Sequence, residues 1–188
     1  MAVGGFISAT LTADPRWMEW HLSRLGEGGE LSAYVFNFTV GFCALLIGVF
    51  AQSIIRDVKK MQLTSAQTRK VLRLLRVTLR LISFGLLGVA AFPFDQFPVI
   101  HNVFGYGTTI TFVALIALLP KALPVFNRTF ARMTYAFIGL LGVLFGIYFA
   151  NNQRGIPLLY IELLALLYFI AWLAVLVRGT KAKVTSLA

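Results

Sequence analysis

Charged side chains are scarce in this sequence. Only 13% of its 188 residues are Asp, Glu, Lys or Arg, whereas soluble domains carry about 25%. A water-soluble fold of this length would need more charged surface, so the scarcity argues against a soluble globular domain. The chain also has a single cysteine, Cys43, which excludes an intramolecular disulfide and argues against a thiolate metal site.

Acidic residues are especially few, with 7 Asp and Glu against 17 Lys and Arg. In a soluble protein this excess of positive charge would indicate nucleic-acid binding. Here the basic residues stand at the ends of apolar runs, which is typical of membrane topology signals, so we expect no nucleic-acid partner. No Walker motif, GxSxG elbow or dinucleotide-binding glycine pattern lies on a suitable element. We therefore expect no cofactor, no bound metal and no enzymatic activity.

The sequence does contain long apolar runs. Their Leu, Ala, Gly and Phe content and their lack of strict alternation predict helices rather than barrel strands. Five runs have the length that crosses a bilayer, namely residues 31–55, 76–92, 99–119, 130–150 and 157–177. The predicted fold is an all-α, polytopic transmembrane bundle of five spans. An N-terminal segment (1–30) precedes the bundle (31–178), and a short tail (179–188) follows it.

One helix end and one helix start are also indicated by the sequence. The apolar stretch 1–13 is too short to span a bilayer, and we expect it to be the end of a helix. Thr64 and Gln67 have capping-box spacing, which predicts that the second long helix begins at Ser65, before the membrane.

The distribution of basic residues predicts the orientation. Segments 56–80, 121–132 and 178–183 hold eight, three and three of the 17 Lys and Arg residues, and all three segments fall on one side of the bundle. The other side holds only Arg16, Arg24 and Arg154. Because basic loops stay in the cytoplasm, the N-terminal region should be outside and the C-terminus cytoplasmic.

Residues 14–25 predict a short interfacial helix outside the membrane. Asp14 can cap it, and Pro15 suits its first position. Trp17 and Trp20 would anchor the helix among the lipid headgroups. The alternative interpretation is a lid over an outer cavity.

A polar cluster is predicted in the outer half of the bundle. Because a buried ionisable group in a membrane helix is costly, Glu162 should face the bundle or a wet cavity, with His101 or Asn37 as its partner. The cluster serves either as a clamp between helices or as a ligand or ion site. Its members are Asn37, Asp95, His101, Asn102, Tyr106 and Glu162.

A basic stripe follows the second long helix. Its members recur at four, three and four residues and so share one helical face: Arg69, Arg73, Arg76 and Arg80. Such a stripe binds anionic lipid headgroups or serves only as a topology signal.

Small residues follow one face of the fourth long helix. Gly142 and Gly146, extended by Ala150, form a GxxxG step that lets another backbone approach closely. We expect that backbone to belong to the same bundle. A homodimer or another membrane protein is the alternative partner.

Three functional hypotheses remain open. The first is a non-enzymatic accessory or lipid-binding protein with an outer polar pocket. The second is a small transporter or channel subunit that uses Glu162 and His101. The third is a lipid hydrolase in which His21, Asp95 and His101 hold zinc.

Two short motifs resemble the signatures of a known family. Ser23-Arg24-Leu25-Gly26 followed by Phe36-Asn37 resembles one signature, and Phe92-Pro93-Phe94-Asp95 followed by His101 resembles the other. These are the "S-x-LG … FN" and "FP-x-D … H" signatures of a bacterial membrane family, catalogued as domain of unknown function 998. The family is distantly similar to DRAM- and Sfk-type membrane proteins.

The resemblance implies a bacterial plasma-membrane protein. The family has six helices with both ends cytoplasmic, whereas this sequence shows five spans and lacks most of the first helix. The family's motif residues correspond here to Ser23, Gly26, Asn37, Pro93, Asp95 and His101. All six fall on the predicted outer face.

Overall fold

The fold was obtained as a computed structural model, which describes residues 2–61, 63–123, 126–151 and 157–185. This part of the chain forms six α-helices and two short 3-10 segments, without strands. The helices are α1 (Ala2–Leu11), α2 (Leu31–Lys60), α3 (Ser65–Ala91), α4 (Pro98–Ala122), α5 (Arg128–Ala150) and α6 (Leu158–Thr185). The last five are long and apolar enough to cross a membrane, with mean hydropathies of 1.7 to 2.3. The predicted all-α membrane bundle with five spans is confirmed.

Helix starts follow local side-chain chemistry. The Thr64 hydroxyl accepts a hydrogen bond from the Gln67 N–H at 3.3 Å, and the Gln67 side chain accepts one from the Thr64 N–H at 3.3 Å. This reciprocal capping box confirms the predicted start of α3. At α5, the Asn127 side chain accepts from the Phe130 N–H at 2.7 Å. Such caps satisfy N–H groups that the first helical turn leaves unpaired.

The long helices alternate in direction, which gives the bundle two distinct ends. We call the covering segment 12–30 the cap, and the end of the bundle beneath it the cap end. The opposite end carries the basic segments and is called the basic end. The short α1 reaches the cap end beside α2, where the Ser8 hydroxyl donates to the Ser32 carbonyl at 2.8 Å.

The main core lies between the long helices. All five contribute buried side chains to it, among them Val58, Leu75, Leu79, Leu115, Ile116, Leu119, Leu141, Trp172 and Leu176. Large apolar side chains also cover the outside, and Phe38, Val49 and Ile110 are 75%, 67% and 69% exposed. A water-soluble monomer rarely exposes so much apolar surface, whereas in a membrane these side chains meet lipid.

The predicted interfacial helix at 14–25 is wrong as a single element. The segment forms two 3-10 turns, Trp17–Glu19 and Leu22–Gly26. His21 between them is extended, with φ −132° and ψ 160°, so the helix cannot continue. Asp14 does not cap a helix, because its carboxylate accepts from the Arg16 N–H within a local turn at 3.0 Å.

The expected partner of the α5 packing face within the same bundle is also wrong, whereas the alternative of a homodimer or another membrane protein stays a prediction. Gly142, Gly146 and Ala150 are exposed, and a Cβ atom built on Gly142 or Gly146 meets nothing within 4 Å. No described helix of the same bundle approaches this face. Close helix approach occurs instead on α3, where a Cβ on Gly88 would overlap the Phe104 ring of α4.

These two glycine environments predict opposite mutational effects. Gly88→Leu should lower the stability of the bundle by about 1–3 kcal/mol, because the added side chain forces the Phe104 ring away. Gly142→Leu should cause no loss, because its site is open. Thermal unfolding of both variants in the same detergent measures the difference. A comparable loss in Gly142→Leu would contradict the exposed position of that face.

Candidate functional site

The cap is attached to the bundle by hydrogen bonds from several helices. The Leu22 N–H donates to the Glu162 carboxylate on α6, and the Leu159 N–H donates to the Trp20 carbonyl at 2.9 Å. Three further bonds are Asn37 Nδ2 to the Gly26 carbonyl (3.0 Å), the Gly28 N–H to Asp95 (3.2 Å) and Ser23 to His101 (3.1 Å). The cap is therefore held by residues on α2, on the α3–α4 turn, on α4 and on α6.

A chain of hydrogen bonds runs through the centre of this attachment. His101 Nδ1 is 2.8 Å from the Phe92 carbonyl and must donate to it. In the neutral imidazole, Nε2 is then an acceptor, and it takes the Ser23 hydroxyl proton. The Ser23 oxygen in turn accepts from His21 Nδ1 at 2.9 Å. Ser23 therefore bridges the two histidine rings.

Electrostatics favour the neutral form of His21. Burial, together with the nearby His101 and Arg24, lowers the pKa of His21 to about 4. Its Nε2 atom lies 3.8 Å from Glu27 Oε1, but with a neutral ring this contact is not an ion pair. Arg24 is neutralised instead by Asp14, at 3.1 Å, and by Glu27.

Beneath the cap lies a cavity of about 110 Å³, which we call the cap cavity. It is bounded by the cap, the α3–α4 turn, α4, α5 and α6. Its lining residues are His21, Ser23, Phe94, His101, Asn102, Gly105, Tyr106, Thr109, Phe145, Leu158 and Glu162. One acidic group, two imidazoles, an amide, three hydroxyl groups and several aromatic rings thus face the same small volume.

The predicted polar cluster is brought together only in part. Four of its members line the cap cavity: His101, Asn102, Tyr106 and Glu162. The other two hold the cap from outside this cavity: Asn37 and Asp95. The predicted partners of Glu162 are wrong, because its carboxylate accepts from the Leu22 backbone and not from His101 or Asn37.

Several lining residues, among them His21, Ser23 and Thr109, were not assigned to the polar cluster from the sequence. Thr109 follows Asn102 and Tyr106 at helical spacing. The sequence could therefore have predicted that all three lie on one face of α4. The contributions of His21 and Ser23 depend on how the cap folds back. That arrangement follows from long-range hydrogen bonds, which no local pattern encodes.

The basic stripe is exposed and faces two grooves at the basic end. Arg69 and Arg73 border a groove of about 800 Å³ between α3 and α4, together with Gln67, Lys70, Leu74, Val77, Leu118 and Lys121. Arg76 and Arg80 border a smaller groove of about 210 Å³ between α2 and α3. The single helical face predicted from spacing therefore serves two different surfaces.

The arrangement does not resemble a metal centre. In the described ranges, no three His, Cys, Asp or Glu side chains converge as metal ligands. His21 and His101 are bridged by Ser23, and Asp95 bonds to the Gly28 backbone. The zinc-hydrolase hypothesis receives no support from this geometry.

Comparison of the chain with protein-family models, with curated proteins and with solved structures gave no match.

The neutral state of His21 makes the cap sensitive to acid. Between pH 6.5 and about 4, an unfolded chain binds a proton at His21 while the folded cap does not, so stability falls as the pH decreases through this window. His21→Asn keeps an N–H donor for Ser23 but cannot titrate. We expect the variant to lose less stability than the parent between pH 7 and pH 4.5.

The measurement is the thermal midpoint in detergent at both pH values. The acidic groups are the same in both proteins, so the difference reports on position 21 and its contact with Glu27. Equal acid sensitivity in the two proteins would show that His21 is not buried in its neutral form.

Proposed function

We propose that this protein is a non-enzymatic, lipid-binding accessory protein of the membrane. The observation that carries the proposal is the groove between α3 and α4 at the basic end. Its cationic part is formed by Arg69, Lys70, Arg73 and Lys121, and its apolar part by Leu74, Val77 and Leu118. A surface that changes from cationic to apolar within one groove matches the two parts of an anionic phospholipid.

The energetics support retention of a lipid in this groove. Each Lys or Arg near an anionic surface contributes about 1 kcal/mol, and buried acyl chain adds about 0.8 kcal/mol per CH₂. Lys121 is held over the Tyr135 ring at 5.4 Å, and the Tyr135 hydroxyl bonds to the Ala117 carbonyl at 2.9 Å. One of the groove's cations is thus positioned before any lipid arrives.

We also propose an orientation and a location. The excess of basic residues at one end supports a cytoplasmic basic end, with the cap and the cap cavity outside. The resemblance to the bacterial family of unknown function supports a bacterial plasma membrane. Residues of both signatures hold the cap here. His101, from the second signature, bonds to Ser23 of the cap, and Asn37, from the first signature, bonds to Gly26 of the cap.

Transport through the bundle is less well supported. Glu162 and His101 do line one cavity, as the transporter hypothesis requires. Between that cavity and the basic end, however, the core is closely packed, and Leu115, Ile116 and Trp172 are at most 1% exposed. Binding at each end fits this arrangement better than passage between them.

Hydrolysis is a second candidate function because Ser23 lies close to His101. Ser23 Oγ lies 3.1 Å from His101 Nε2, and the Phe92 carbonyl orients the ring, which is the geometry of a nucleophile and its base. In the proposed role, the same bonds hold the cap. Covalent labelling of Ser23 by a fluorophosphonate would favour hydrolysis over this role.

Charge-matched double variants test the lipid groove. Arg69→Gln/Arg73→Gln removes two charges from the large α3–α4 groove, and Arg76→Gln/Arg80→Gln removes two from the smaller α2–α3 groove. We expect the first variant to lose at least about tenfold in retention of anionic lipid, in a salt-dependent manner, and the second to lose less. Native mass spectrometry after purification measures the adducts.

The matched variants also separate the two interpretations of the stripe. If all four arginines are only a topology signal, both variants keep the lipid adducts of the parent protein. That result would remove the support for a lipid-binding groove.

Orientation is tested by cysteine labelling in intact cells. In a Cys43→Ala background, Gln96→Cys at the cap end should react with an impermeant thiol reagent. Ser65→Cys at the basic end should react only after the cells are opened. Both positions are exposed, so access to the reagent decides the result. Labelling of Ser65→Cys from outside would reverse the proposed orientation.

A further inference from the structure

The cap cavity contains a carboxylate without a matching cation among the residues that the structure describes. Glu162 Oε2 accepts from the Leu22 N–H, and Oε1 has no hydrogen-bond partner among the described residues. None of the described residues that line the cavity is Lys or Arg. An acidic group at membrane depth is costly unless it is partnered, so the cavity leaves room for a positive charge from elsewhere.

The neighbouring imidazoles do not supply that charge. Both ring nitrogens of His101 are already engaged, Nδ1 by the Phe92 carbonyl and Nε2 by Ser23. The lowered pKa of His21 keeps it neutral as well. Of the two arginines on the cap, Arg16 is exposed, and Arg24 is already paired with Asp14 and Glu27. The described surroundings of Glu162 therefore carry no cation of their own.

The rest of the lining suits an ammonium group. The Thr109 hydroxyl donates to the Gly105 carbonyl at 3.1 Å, which leaves its oxygen free to accept. Phe94, Tyr106 and Phe145 surround the same volume, and aromatic faces attract cations. The cavity volume of about 110 Å³ is several times the ~30 Å³ share of one water molecule.

One side of the cavity faces the membrane. Tyr106 lines the cavity and is still 49% exposed, and its helical neighbours Val103 and Ile110 are 66% and 69% exposed. These positions form the lipid-facing surface of α4. A headgroup at the membrane boundary can therefore approach Glu162 from the side, beneath the cap.

We infer that the cap cavity binds a primary ammonium group, with Glu162 as its counter-ion and the Thr109 oxygen as a further acceptor. The group comes from a zwitterionic lipid headgroup such as phosphatidylethanolamine or from a free small amine, since both present the same chemistry. This site is separate from the anionic-lipid groove proposed at the basic end.

Ethanolamine is the probe for the free amine, and ethylene glycol is its neutral counterpart of similar size. Calorimetric titration of the purified protein should detect ethanolamine and not ethylene glycol. Glu162→Gln keeps an acceptor for the Leu22 N–H but removes the charge, and it should weaken ethanolamine binding about tenfold or more. Glu19→Gln removes an exposed charge at the same end and should leave the affinity unchanged.

A second variant distinguishes loss of the binding site from misfolding of the protein. Thr109→Val is nearly isosteric and removes only the hydroxyl acceptor, and it should weaken ethanolamine binding severalfold with the thermal midpoint unchanged. The lipid source is distinguished by native mass spectrometry. Loss of phosphatidylethanolamine adducts in Glu162→Gln identifies a headgroup, whereas unchanged adducts with weakened ethanolamine binding identify a free amine.

Two outcomes would overturn the inference. One is the same ethanolamine affinity in Glu162→Gln as in the parent. The other is no ethanolamine binding and no selective phosphatidylethanolamine adduct in the parent, with equal destabilisation by Glu162→Gln and Arg154→Gln, which would show that Glu162 pairs within the chain. The Arg69→Gln/Arg73→Gln variant should bind ethanolamine normally, so the two lipid proposals fail or succeed separately.

Discussion

The hydrogen bond between the Leu22 backbone and Glu162 organises the cap end of the molecule. A backbone N–H at the membrane boundary needs a partner, because the hydrocarbon offers none. Here that partner is a side chain 140 residues away in sequence. Together with the bonds that Asn37, Asp95 and His101 make, it holds the cap over the cap cavity. The same bond holds the carboxylate at a fixed position, which a binding site for a small cation requires.

The fold could be predicted from the sequence because the membrane restricts the structures that can span it. Every span must be helical and apolar over about 20 residues, so composition alone indicates five spans. The start of α3 was equally local, since Thr64 and Gln67 satisfy each other's backbone within four residues. Four members of the cap cavity were also found, because polar residues are rare in these helices and their depth follows from position along the chain.

Features that depend on long-range contacts were not predictable. The partner of Glu162 is a backbone group, which every residue possesses, so no side-chain pattern identifies it. Helical spacing gave one face for the arginine stripe, but the neighbouring helices divide that face between two grooves. The glycines of α5 show the same limit of prediction from the sequence. A small-residue step permits close approach, but which surface approaches is decided by the arrangement of the whole bundle.

The distance along the chain between Leu22 and Glu162 also bears on biogenesis. The cap is translated before α6, and the other four long helices lie between them in the sequence. Until α6 is inserted, the Leu22 N–H, the Trp20 carbonyl and their neighbours lack their final partners. The cap therefore completes its structure only after α6 has been translated. Closure of the cap is a late step in the assembly of these helices, although the cap precedes all five of them in the sequence.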